Sequence, residues 1–209
     1  MSRCQLGAVD KMDVAMPKKL WMFIFALLIA ASACAPITAE IVKTAASSCQ
    51  QNLICFYWWP RLPTIPGWHT DETANYSNGD NGVNTLIPDG FTFANADAII
   101  YAEAVYKPRY EHDNPDSKTL DAFIADDSAT FSEKHKDEIV IAEASPLTTG
   151  DGHILRSVTY FQEKNKNWER VSYGEEGDYY IVFVINAHSM ASYLAAQGIY
   201  EKLIKAYKQ

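Results

Sequence analysis

The chain has 209 residues, with 18 Lys and Arg against 26 Asp and Glu and a formal net charge of −8, a length that suits one ordinary domain preceded by a leader. Arg3, Lys11, Lys18 and Lys19 oppose only Asp10 and Asp13 in the first 33 residues, so the body is more acidic than the whole. Such a body is a poor partner for phosphate backbones or anionic headgroups, and nucleic acid is not expected to bind.

Met16, Pro17, Lys18 and Lys19 precede an apolar run from Leu20 to Ala33. This is the basic and then hydrophobic pattern of a secretory signal peptide, with Met16 as a candidate start and the h-region at about 20–33. Two cleavage readings stand side by side. In one, Ala31-Ser32-Ala33-Cys34 is a lipobox with Ala where Leu is usual, and Cys34 is the lipidation candidate that attaches the protein to a bacterial membrane. In the other, cleavage follows Ala39. A third reading, a retained anchor, meets the difficulty that the apolar run is shorter than the ~20 residues that span a bilayer. The organisation expected is a leader over 1–39, a tether and aromatic, Pro-rich arm over 40–66, and a single α/β domain over 67–209, in a periplasmic or secreted protein.

Cys4 falls in the leader and Cys34 is lipidated or removed, leaving Cys49 and Cys55 as an even pair in an oxidising compartment, where a disulfide is expected. Two cysteines without further ligands are a poor zinc site, since zinc takes four. Residues 40–48 are small and polar and read as the tether. The aromatics Phe56, Tyr57, Trp58 and Trp59, followed by Pro60, Pro63 and Pro66, suit an extended arm whose rings pack on the domain. Residues 70–83 read as a solvated loop. Its Asp71, Glu72 and Asp80 lack the spacing of an EF-hand.

Leu86 to Gly90 reads as a turn, and Ala98–Tyr106 as a strand with Glu103 its single charge, expected at a rim or paired with a base. After polar residues 108–115, Asp116 and Ser117 offer caps for a helix reaching Lys134, with Leu120, Phe123, Ile124 and Phe131 as its stripe and Asp121, Asp126 and Asp127 on its outer face. Strand signals follow at 138–144, Ile154–Gln162, 168–174 and Tyr179–Ala187, joined by short turn-rich loops that imply antiparallel hairpins. The run YYIVFVINA is apolar on both alternating faces and must lie centrally in the sheet, covered on each side. Ser189 then caps an amphipathic helix over 189–208. The fold expected is α+β, an antiparallel meander flanked by helices as an α/β/α sandwich.

The chemistry-bearing residues assemble no motif. His69, His112, His135, His153 and His188 lack metal-ligand spacing, and Ser145, Ser157, Ser172 and Ser189 lack a nucleophile elbow. Asp151-Gly152-His153 juxtaposes an acid and a base, but in a turn whose residues backbone geometry already explains. No catalytic, cofactor-binding or metal residue is assigned.

Pro66-Gly67-Trp68, then Leu86-Ile87-Pro88-Asp89-Gly90-Phe91, a strand, a helix, a meander with Tyr173-Gly174 and the apolar strand from Tyr179, and a closing helix together resemble the PsbP-like α/β/α superfamily. That group includes an extrinsic photosystem II subunit, a Ran-binding nuclear transport factor and many small bacterial exported or lipid-anchored proteins. The resemblance implies a scaffold that binds macromolecules without a shared catalytic centre, and it transfers no functional residue to this chain. The function expected is that of an exported, non-enzymatic envelope protein that binds or assists a protein partner. The alternatives are a hydrolase whose carboxylate and His residues only the fold brings together, and a small-ligand carrier with an apolar cavity between sheet and helix.

Overall fold

The structure, a computed structural model, describes residues 41–45, 56–71, 83–134 and 139–209, all within the unit Thr38–Gln209. The lipidation candidate Cys34, the expected disulfide pair Cys49 and Cys55, and His135, Glu72 and Asp80 lie outside the described residues.

Two strands, β1 (Ile41–Ala45) and β2 (Phe56–Pro60), form an antiparallel pair in which Val42 faces Trp59 and Lys43 faces Trp58. Part of the stretch read as a tether is thus a strand: Ile41, Val42, Thr44 and Ala45 leave enough apolar and β-branched character for pairing with the aromatic arm. Trp58 stacks on Tyr106 at 5.8 Å and approaches Tyr179 at 6.3 Å, so this ring of the arm lies on the main sheet.

That sheet has seven antiparallel strands in the order β3 (Trp68–Thr70), β4 (Asn84–Pro88), β5 (Ala98–Tyr106), β9 (Tyr179–Ala187), β8 (Asn167–Glu176), β7 (Ile154–Gln162) and β6 (Val140–Thr148). The last four strands in sequence are a hairpin meander, as the short turns imply, and β9 sits at the middle of the sheet, hydrogen-bonded to β5 on one side and β8 on the other. Its two faces separate the protein into two cores. Ile181, Phe183 and Ile185 belong to one, with Ala98, Ile100 and Ala102 of β5; Tyr180, Val182 and Val184 belong to the other, with Val171 and Tyr173 of β8.

Among the described residues there are three helices, α1 (Lys107–Asp113), α2 (Leu120–Lys134) and α3 (Met190–Ala206). The short α1 occupies residues read as loop; Pro108 in its first turn needs no N–H partner there. Helix α2 lays Phe123 and Ile124 on the Tyr180 face, and α3 covers the Phe183 face with Tyr193, Tyr200, Leu203 and Ile204. Ser189 caps α3, its Oγ accepting from Ser192 N at 3.0 Å. The result is the three-layer α+β arrangement expected from the order of elements.

Strand β6 departs from its expected bounds. It runs through Ser145 to Thr148, residues read as loop, by way of an irregularity between Ala144 and Leu147. Pro146, which cannot donate to a ladder, lies inside that irregularity, where a proline is tolerated.

Candidate functional site

The Asp151 turn is structural. Thr149 Oγ1 donates to Asp151 Oδ1 at 2.6 Å and accepts from His153 N at 3.0 Å, while Gln209 N donates to Asp151 Oδ2 at 2.7 Å. Burial pushes the Asp151 carboxyl up, but the Thr149 hydroxyl and backbone N–H donors hold it below its ordinary value. A Cβ on Gly150 would lie 2.6 Å from Lys205 O, so the turn and the end of α3 are packed backbone to backbone. His153 Nε2 stands 3.7 Å from Asp151 Oδ2. His69 pairs with Asp89 at 3.1 Å and His112 with Asp113 at 3.0 Å, both at the surface. Ser157 and Ser172 bond each other across β7 and β8 at 2.8 Å.

Glu103 does not follow its expected course. It makes no ion pair among the described residues, and it faces the α2 side of the sheet with Tyr101 and Val105. The reason is register: β5 pairs along its whole length with β9, which fixes alternate side chains on that face. Although Glu103 is only half-buried by area, it is so surrounded by protein that its carboxyl is pushed up to about 7, first by desolvation and then by Asp127 and Glu169. Asp127, expected on the outer face of its helix, instead turns toward the sheet and accepts from Tyr173 Oη at 2.6 Å. Burial raises its carboxyl against the lowering effect of that bond. Tyr173 Oη also meets Tyr160 Oη at 2.9 Å, and Tyr160 Oη meets Ser128 Oγ at 2.8 Å. The α2 core therefore holds a chain of hydroxyls ending on a carboxylate.

Glu169, the third member, went unnoticed in the sequence because it stands among the polar residues opening β8. It is only 8% exposed. Asn186 Nδ2 donates to Glu169 Oε2 at 2.8 Å and to Asn167 Oδ1 at 2.6 Å, as the β8–β9 register requires by placing Glu169 opposite Asn186. Desolvation lifts the Glu169 carboxyl to about 7, aided by Asp127 and opposed by Asn186. These groups floor a cavity of about 320 Å³ with Tyr101, Phe93 and Phe131 in its walls and His188 beside them. His188 is exposed, and among the described residues it makes no hydrogen bond to Glu169 and no Ser, Thr or Cys lines the space. The described lining supplies no nucleophile and base in contact of the kind covalent hydrolysis uses. A second, more apolar hollow of about 260 Å³ lies on the opposite face between Trp68, Phe91 and Ile199. Among the described residues, no group of three or more His, Cys, Asp or Glu is placed to hold a metal.

The remaining candidate is the sheet edge. The burial pattern of β6 is almost wholly exposed, with Val140 at 62% and Ile141 at 37%, and Ile154 at the start of neighbouring β7 at 68%. Val140 pairs with Phe161 and Ile141 with Tyr160, so the two apolar side chains project on opposite faces of the sheet. The other edge, β3, is only three residues long.

No protein-family model matches the chain, and no curated protein matches it. Among solved structures, the chain is similar to the solution structure of cyanobacterial PsbP (CyanoP) from Synechocystis sp. PCC 6803, at 10% identity and a TM-score of 0.43, covering 83% of this chain and 95% of that one. This is the PsbP-like likeness that the order of elements suggests. At that TM-score it bears on neither function nor partner, and the α+β fold stands on the strand order given above.

Proposed function

We propose that the protein is an exported, non-enzymatic envelope protein that binds a protein partner by accepting an extended segment of it alongside β6. The observation that supports this reading is the exposed first half of β6. An edge strand presents unpaired backbone donors and acceptors, and soluble proteins usually blunt such edges with charge, proline or a bulge. Here Pro146 and the irregularity protect only the far half, leaving Val140 to Ala144 regularly paired on one side and, among the described residues, open on the other. The occupant is a β-strand with apolar residues against Val140 and Ile141 and a basic residue against Glu143, whose side chain is 89% exposed with only the Arg156 guanidinium 3.8 Å away, in a chain of net charge −8. Strand addition of this kind draws affinity from the main chain and specificity from alternate side chains.

The test is site-specific photocrosslinking in the producing cells, with the photoreactive residue at Ala142 on the edge or at Leu194, an exposed residue of α3. One identified partner should crosslink at Ala142 and not at Leu194, and Ile141→Lys should abolish it while leaving the thermal midpoint unchanged. Equal crosslinking at both places, or a partner indifferent to Ile141→Lys, would remove the reading; crosslinking to a second copy of the chain would replace it with self-association.

Export is part of the same proposal, supported by Lys18-Lys19 and the apolar run that follows. Mass measurement of the mature N-terminus should find either diacylglycerol on Cys34 or a free Glu40. An unprocessed terminus on cytoplasmic material would overturn export. Among the described residues no helix is long and apolar enough to cross a membrane.

A further inference from the structure

The cavity at the β5, β8 and β9 end of the sheet carries charge of one sign. Glu169 forms its floor, and Asp127 and Glu103 add negative potential to it, since both carboxylates are felt at buried groups of this face. Among the described residues, none of the three makes an ion pair. Lys134 is exposed and lowers only the Asp127 carboxyl at a distance. The walls are aromatic, and ring faces attract cations and repel anions. Asn167 Nδ2 is buried and makes no hydrogen bond of regular geometry, but the Asn167 amide lies near enough to Glu169 to help hold down its carboxyl. At about 320 Å³ the cavity is at the small end of ligand pockets. Its one lining carboxylate and two carboxamides fall short of the six or more oxygens a calcium ion takes.

We propose that this cavity binds a small organic ammonium ion, the charge held by Glu169 and the carbon skeleton lying between Phe93, Tyr101 and Phe131. Burial raises the Glu169 carboxyl to about 7, so a proton and the ammonium ion compete for it and binding of the ammonium favours the ionised form. A neutral molecule of the same shape forfeits the charge-assisted hydrogen bond to the carboxylate, and an anion meets both the carboxylates and the ring faces. The site is separate from the β6 edge and does not depend on it.

Isothermal titration of the full-length protein with phenethylamine, its hydroxylated analogue phenylethanolamine, phenylethanol and phenylacetate tests the charge rule at constant skeleton. The two amines should bind. Phenylethanol should bind at least ~10-fold more weakly, and phenylacetate should not bind. Glu169→Gln, which keeps the shape and the contact with Asn186, should weaken amine binding at least ~10-fold with the thermal midpoint retained. The groups facing Glu169 are Asp127 from α2, Glu103 and Tyr101 from β5, Tyr160 from β7, Tyr173 from β8 and His188 after β9. Amine affinity should fall about 10-fold between about pH 8 and about pH 6 as the Glu169 carboxylate takes up a proton. Phe93→Leu, at the outer wall, should weaken the amines several-fold and serves if Glu169→Gln does not fold. Absence of amine binding, equal binding of amine and alcohol, preference for the acid, or full amine affinity in Glu169→Gln or, where that variant does not fold, in Phe93→Leu would each overturn the proposal.

Discussion

Tyr173 Oη donates a 2.6 Å hydrogen bond to Asp127 Oδ2, and through it α2 sets a carboxylate against a sheet face that also carries Val158, Val171, Val182 and Val184. Tyr173→Phe keeps the ring and removes this bond together with that to Tyr160. A buried bond to a charged group is worth about 1.5–3 kcal/mol, and a loss of that size is expected in urea denaturation. Because the Tyr173 hydroxyl lowers the Asp127 carboxyl that burial raises, the variant should suffer more at about pH 8 than at about pH 5.

Glu169 and Glu103 are both raised from 4.5 to about 7. A raised carboxyl means the folded state holds its proton longer than the unfolded state does. Stability contributed by these groups is therefore fully present below about pH 4.5 and declines until about pH 7. Each pKa unit corresponds to about 1.4 kcal/mol, so either residue accounts for a few kcal/mol at most. The same neighbours, Asp127, Glu103, Tyr101, Tyr160, Tyr173 and His188, surround position 169 in Glu169→Gln. Glu169→Gln should flatten the denaturation midpoint against pH across that window and leave the slope due to Glu103. A midpoint that rises with pH in the parent would contradict the assignment.

Phe183 is wholly buried, with Tyr207 edge-on at 4.9 Å and its own carbonyl accepting from Tyr200 Oη at 2.9 Å. Phe183→Ala leaves a cavity at the centre of the α3 core and should cost about 3–5 kcal/mol. Comparable denaturation midpoints for the variant and parent would place the strand's packing elsewhere.

Cys49 and Cys55 both fall in the connection between β1 and β2, so a bridge between them would shorten the reach of the aromatic arm. A loop so short removes less than the ~3 kcal/mol expected for one of fifteen residues. Reduction should raise protease sensitivity in the arm and alter Trp fluorescence while the main sheet persists. Recovery of both cysteines as alkylatable thiols from protein purified out of its own oxidising compartment would refute the bridge.

The cores were legible in the sequence because they rest on side-chain alternation: YYIVFVINA is apolar at both parities, and only a central strand between two helical layers accommodates that. Ser189 likewise announced the helix it caps. The cavity was not legible. Glu169, Asn186 and Tyr101 are far apart in the chain and meet only through the pairing of β5 and β8 with β9, and no local pattern encodes such a meeting. Asp127 misled for the opposite reason: charge on a helix usually faces water, whereas here a tyrosine hydroxyl on the sheet receives it.

The placement of β9 between β8 and β5 also dictates an order of assembly. β8 reaches β9 through a two-residue turn, but Ala98 of β5 must find Ala187 across most of the domain's length. Local hairpins close quickly and distant pairings wait on chain entropy, so the β6 to β9 meander should form first and β5 dock late. Tyr101 arrives with β5, and until then the Glu169 carboxyl lies open to solvent. An occupant of the finished cavity would accordingly lengthen the lifetime of the folded chain and leave its rate of formation almost untouched.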